Sequence, residues 1–195
     1  MGSIKPIKES DEHLIKRAKK GDNKAFDKLV LRYQKRIYYV VIRMVMNHQD
    51  ADDVTQETFI KAYKNLENFK EGYKFYTWIY RIAINTAINL IKKRSYVGES
   101  LESLLENGYQ PPMEETPIKN FEKTELKSIV KTVLNSISPE ARSVFILRSS
   151  EGMSYQEISD TLQISIGTVM SRLNRTREKL KKSLKKAHNY YKNLK

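Results

Sequence analysis

Residues 69–94 read FKEGYKFYTWIYRIAINTAINLIKKR, and their pattern decides what kind of protein this is. The stretch opens as a loop crowded with rings (Phe69, Tyr73, Phe75, Tyr76) and two lysines, Lys70 and Lys74. A helix is predicted from Thr77, whose hydroxyl can cap the free N–H groups of a first turn. At about 100° per residue, Ile79, Ile82, Ala83, Thr86 and Leu90 share one face, which should be buried. Trp78, Arg81, Asn85, Asn89 and Lys92 fall together on the opposite side. An indole, a guanidinium, two amides and an ammonium do not make a core. They can stack on a base, hydrogen-bond its edge and neutralise phosphate, so this stripe is expected to touch nucleic acid.

Working outward, the composition supports a polyanionic partner. The chain has 195 residues and a formal net charge of +13, an excess that folding alone does not require. There is no Cys, which excludes disulfides, thiolate catalysis and cysteine-containing metal sites. No apolar run approaches membrane-spanning length, and the start MGSIKPIKESDEH lacks the apolar core of a signal peptide, so an intracellular, soluble chain is expected. Seven Gly, five Pro and no strand-like alternation favour an all-α protein.

Upstream of the opening stretch, a first helix is predicted over Asp11–Lys20, with Ser10 as cap and Gly21 at its stop. Asp22 should cap a longer helix carrying Phe26, Leu29, Tyr33, Ile37, Val40 and Met44. A break at Asn47–Gln49 precedes a third helix, DADDVTQETFIKAYKNL, whose Asp50, Asp52 and Asp53 crowd the positive end of its dipole. Carboxylates so placed serve as dipole partners or a docking face more often than as a metal site. His13, His48 and His188 have no second ligand at i+4 and read as surface residues.

The first domain is therefore expected at 1–95, followed by a flexible acidic linker at 96–120 and a second domain at 121–195. From Tyr96 to Ile118 the chain has five Glu, no Lys or Arg, and the pair Pro111-Pro112. A short helix around Leu101–Leu105 could interrupt it. In the second domain Ser138-Pro139 is a helix start, proline occupying the first helical position. Ser154 and Glu157 form a capping box, and a break at Gln163-Ile164 leads to a helix capped by Ser165. That is the spacing of a helix-turn-helix, whose second helix enters the major groove. Thr168, Ser171, Arg172, Arg175 and Arg177 project from it, while Val169, Leu173, Leu180 and Leu184 should hold it down. From Met170 onward ten Lys or Arg face a single acid, Glu178, so most of the net charge sits on this helix and its tail.

Three stretches together, DADDVTQETFIKAY, FYTWIYRIAINTAINLIKKR and SYQEISDTLQISIGTVMSRLNRTRE, make the chain resemble a bacterial RNA polymerase sigma factor of the extracytoplasmic-function group, in the sigma-70 family. The resemblance spans Leu14–Leu184 apart from the linker. It implies a promoter-specificity subunit, not an enzyme, with no cofactor. By that likeness Asp53, Gln56 and Glu57 dock on the clamp helices of the polymerase's largest subunit, and the second domain meets the flap. The helix after Thr77 would read the −10 element through Arg81 and Asn85, with Trp78, Asn89 and Lys92 on the same stripe. The loop with Phe75 and Tyr76 would capture an unstacked base of the non-template strand. The second domain would read the −35 element as duplex. An anti-sigma factor is the further partner implied; it could hold the cytoplasmic chain at a membrane that the chain itself does not enter.

Two departures from the family pattern stand out. Met170 replaces a common Lys or Arg, and Gln163 fills a turn position where glycine is usual, at a cost of about 1 kcal/mol. Two other classes compete. An ordinary helix-turn-helix regulator would not need the basic, aromatic face of the first domain. A recombinase would need a nucleophile with its base or a carboxylate-bound metal, and no such constellation is visible.

Overall fold

Ser10 turns the chain into its first helix, its hydroxyl accepting from the His13 amide at 3.2 Å, and α1 (Asp11–Lys19) follows. The computed structural model describes residues 9–70, 72–97 and 128–192, and no strand occurs among them. The molecule is all-α and divides into two compact units, Met1–Asn89 and Leu90–Lys195.

In the first unit Asp22 caps α2 (Asn23–Val45) by accepting from the Ala25 amide. Leu29, Ile37, Val40, Val41 and Met44 on its inner face are fully buried, as helical periodicity requires. Arg32 and the Tyr33 hydroxyl both donate to the Asp11 carboxylate, which fixes α1 against α2. Burial, then the Asp11 contact, pushes the Tyr33 phenol well above its usual range.

The break after α2 is tighter than the sequence suggested. Met46 adopts a left-handed conformation (φ 60°), and Asn47 at once caps α3 (His48–Lys64) by accepting from the Asp50 amide at 3.0 Å. His48 and Gln49 are therefore helical. α3 also stops short of Leu66, where a single 3₁₀ turn (Leu66–Asn68) takes over. Lys19 reaches that turn from α1, donating to the carbonyls of Glu67 (3.1 Å) and Phe69 (2.7 Å).

The next helix, α4 (Phe75–Val97), starts two residues earlier than predicted. The amides of Thr77 and Trp78 both donate to the Lys74 carbonyl, so Thr77 lies inside the first turn and is not its cap. The helix also runs past Ser95, the expected domain end. The predicted linker beyond Val97, with its short helix and the expected restart at Phe121, lies outside the described residues.

In the second unit residues 128–135 form a helix, α5. Ser138 then caps α6 (Pro139–Ser150) with proline at its start. Ser154 and Glu157 cap α7 (Tyr155–Leu162) reciprocally, the Ser154 amide donating to the Glu157 carboxylate at 2.9 Å and the Glu157 amide to the Ser154 hydroxyl at 3.1 Å. α8 (Ile166–Lys192) packs on both α6 and α7. Arg142 is buried, its Nε donating to the Leu134 carbonyl at 2.9 Å, and burial lowers its guanidinium to about 10. Ser154→Ala removes one side of the capping box, so a loss of about 1 kcal/mol is expected from the second unit's unfolding free energy. Urea unfolding followed by circular dichroism measures it; an unchanged midpoint would mean that the box is dispensable.

Candidate nucleic-acid interface

The two ends of the aromatic loop are fixed by rings packed on one another. Phe69 and Phe75 are 5% and 2% exposed, with centroids 5.9 Å apart. Phe75 also meets Tyr33 of α2 edge-on at 5.4 Å. The sequence offered Phe75 as a DNA contact, whereas the structure turns its ring into the core, where it presents nothing to a ligand. Its place is to anchor the loop's end to α2.

Trp78 leans on this pair, 5.2 Å from Phe69 and 5.7 Å from Phe75, and is half-buried. One part of the indole belongs to the packing and another meets solvent. Tyr76 is likewise half-buried, with Lys74 Nζ 3.3 Å from its hydroxyl and 5.5 Å from its ring centre. The most exposed ring of the loop is Tyr73, at 67%. Sequence reasoning counted Tyr73 among the rings but did not single it out, because a loop has no period from which to tell inward from outward.

Along α4, Asn85, Asn89 and Lys92 are exposed and Arg81 is half-exposed, all on the side away from Ile79, Ala83 and Thr86. The buried face is wider than predicted. Tyr80, Ile84 and Ala87 are also at most 1% exposed, while Ile82 and Leu90 are only half-buried. This burial makes α4 a rigid wall that holds two amides and a guanidinium toward solvent. Thr86 accepts a hydrogen bond from Lys61 of α3 at 3.2 Å, and Lys61 pairs with Glu57 at 2.7 Å.

On α3, Asp53, Gln56 and Glu57 are exposed together, with Ile60 (54% exposed) at helical spacing among them. Asp50 is turned inward at 6% exposure while Asp52 and Asp53 face solvent, so the three acids do not converge. Among the described residues no three His, Asp or Glu side chains are placed to share a metal ion.

In the second unit the turn before α8 is made by Gln163 in the left-handed region (φ 53°). The Ser159 hydroxyl donates to the Ile164 carbonyl at 2.6 Å and steadies it. Ser165 caps α8 by accepting from the Thr168 amide at 3.2 Å, and the two hydroxyls lie 2.9 Å apart. Val169, Leu173 and Thr176 bury the inner face, but Leu184 is 36% exposed and does not hold the helix down as expected. Ser171, Arg175 and Arg177 are exposed; Thr168 and Arg172 are half-buried. Arg177 lies nine residues beyond Thr168, about two and a half turns, and so on the opposite flank of α8. The five predicted residues do not form one stripe. Met170 (53% exposed), already notable as a departure from the cationic pattern, also faces outward, as does Asn174, which charge alone does not mark.

These two units match two family models in order, sigma-70 region 2 over residues 29–96 and sigma-70 region 4 over residues 127–180. The RNA polymerase sigma-H factor of Pseudomonas aeruginosa is 39% identical over 182 residues, which cover 90% of this chain and 94% of that protein. The ECF RNA polymerase sigma-E factor of Escherichia coli is 37% identical, over 87% of this chain and 91% of the relative. The structure resembles CnrH solved in complex with the cytosolic domain of CnrY, with a TM-score of 0.67, 25% identity, and coverage of 91% of this chain and 98% of that one. The chain belongs to the sigma-70 family, and its closely covered curated relatives place it with sigma factors of the extracytoplasmic-function type.

Proposed function

We propose that this chain is an alternative promoter-specificity subunit. It binds core RNA polymerase, recognises −35 and −10 elements and helps to open the DNA to start transcription. One observation carries this reading: α4 buries one whole face while holding Arg81, Asn85, Asn89 and Lys92 outward beside an exposed loop ring. A rigid wall of hydrogen-bonding groups next to a stacking surface suits single-stranded DNA. Extruding a base costs on the order of a few kcal/mol, which contacts to polymerase and to the upstream duplex can offset without ATP.

The exposed patch of Asp53, Gln56, Glu57 and Ile60 is the surface that docks on the clamp helices, acids around an apolar centre fitting the anatomy of an interface. α8 reads the −35 duplex, with Arg172 and Arg175 beside Ser171. An anti-sigma factor is a natural partner, because a structural neighbour, the sigma factor RpoE of Bartonella quintana, was solved with the anti-sigma factor NepR. The chain would act in the bacterial cytoplasm; among the described residues no helix is long and apolar enough to cross a membrane.

The competing regulator would bind DNA without polymerase, so gel filtration with core polymerase separates the two. Co-elution of this chain with the core is expected, and elution at its own volume would refute the docking assignment. Arg175→Ala is expected to weaken binding to the upstream duplex and to lower the slope of log affinity against log salt by about one, as loss of one phosphate contact does. Titrations at several salt concentrations measure it. An unchanged slope would take Arg175 off the phosphate.

A further inference from the structure

α1 holds both ends of the loop that carries Tyr73, although it lies upstream of the stretch matching sigma-70 region 2. At its C-terminal end Lys19 Nζ donates to the carbonyls of Glu67 and Phe69, the second bond (2.7 Å) closing a span of 50 residues. At its N-terminal end Asp11 accepts from the Tyr33 hydroxyl, and the Tyr33 ring meets Phe75 edge-on. Phe69 is where the loop leaves and Phe75 is where α4 begins, and both are buried. α1 is itself pinned by its buried Leu14, Ile15 and Ala18 and by the ion pairs of Arg17 with Glu9 and Asp22. The bland account is a half-buried lysine capping a 3₁₀ turn, an end where cations are favoured. Against it, the turn stops at Asn68, and Lys19 reaches past it to Phe69, whose ring packs on Phe75 and Trp78.

We infer that α1 braces the base-capturing loop and that Lys19 is a positioning residue, holding the Phe69 backbone so that Tyr73 is presented before DNA arrives. A loop spread over several positions binds only in the fraction of molecules that hold the competent one, and its apparent affinity falls by that fraction. Fixing the carbonyl at which the loop departs raises the fraction. Lys19 commits two of its three donors to protein carbonyls, so it acts through the loop's backbone and not as a free cation. The inference rests on the assignment of this loop to the −10 single strand and adds the element that sets its position.

The test uses holoenzyme assembled from core polymerase and the full chain. Its probe is a labelled non-template-strand oligonucleotide of the strongest promoter found by run-off transcription from genomic DNA. Abasic sites walked through the −10 element find the base whose removal costs the wild-type complex most. Lys19→Met keeps the stem and removes the charge; it is expected to weaken binding of the intact strand about tenfold, the worth of one charge-assisted hydrogen bond. On the strand lacking that base the same variant should bind within about twofold of wild type, because the loop then has nothing to hold. The slope of log affinity against log salt should stay that of wild type, and Lys19→Arg, which restores N–H donors, should recover most of the loss. If Lys19→Met binds the intact strand as wild type does, or loses equally on both strands, the brace is refuted while the loop keeps its assignment. An equal loss with a slope lower by about one would make Lys19 a phosphate contact instead. A Lys19→Met protein that melts far below wild type by circular dichroism would make the lysine a support of the whole unit and refute a role confined to the loop. If wild-type holoenzyme is indifferent to every abasic site, the loop's assignment falls and the inference with it.

Discussion

Phe75→Ala is expected to unfold the first unit at a far lower temperature, whereas Tyr73→Ala, two residues away, should leave its stability almost unchanged and remove single-strand binding. The two rings come from the same loop and differ in burial, 2% exposed against 67%. Deleting a buried Phe costs roughly 3–5 kcal/mol, because contacts to Tyr33, Phe69 and Trp78 are lost and the cavity does not fully close. In a domain of this size each kcal/mol lowers the melting temperature by about 4–8 °C, so a drop of more than about 12 °C is expected. Truncating an exposed ring changes stability by within about 0.5 kcal/mol. Its effect should appear in binding instead, since stacking is worth about 1–3 kcal/mol per base. Thermal melts and binding of a non-template-strand oligonucleotide to holoenzyme report the two quantities. A stable Phe75→Ala protein that has lost only strand binding would return Phe75 to the contact surface.

Asn85→Ala and Arg81→Ala should behave as the inverse of Phe75→Ala. Asn85 is exposed and Arg81 half-exposed on the outward side of α4, so neither supports the core. Each should lower open-complex formation by about tenfold, the loss of one good base-edge pairing, while co-elution with core polymerase persists. The docking patch on α3 carries that second property independently. On a template already unpaired across the −10 element, Arg81→Ala should recover more than Asn85→Ala, because a cation contributes to melting through phosphate as well as through bases. Loss of helical signal in Asn85→Ala would show that this stripe is core instead.

Much of this was legible in the residues themselves. Helix periodicity located α1, α2 and α4, and side-chain caps at Ser10, Asp22, Ser138 and Ser154 announced four helix starts that the structure keeps. The left-handed turn at Gln163 was anticipated from the family resemblance, in which glycine is usual at that position. What was missed follows a physical pattern. The turn at Met46 has no Gly to mark it; burial of the apolar side chain stabilises a conformation that its backbone disfavours. The start of α4 was set two residues late because the Lys74 carbonyl collects the first amides, a role no side chain reveals. Phe75 and Tyr73 could not be told apart because ring packing across to α2 is a tertiary fact. Arg177 was grouped with Arg175 by charge, although helix geometry alone separates them.

As a promoter-specificity subunit, this chain should give polymerase its promoter choice. Run-off transcription from genomic DNA fragments, with core polymerase alone and with this chain added, tests it most directly. New, discrete start sites preceded by a shared pair of upstream elements, weakened together by Asn85→Ala, are expected. Products identical to those of core polymerase alone would contradict it.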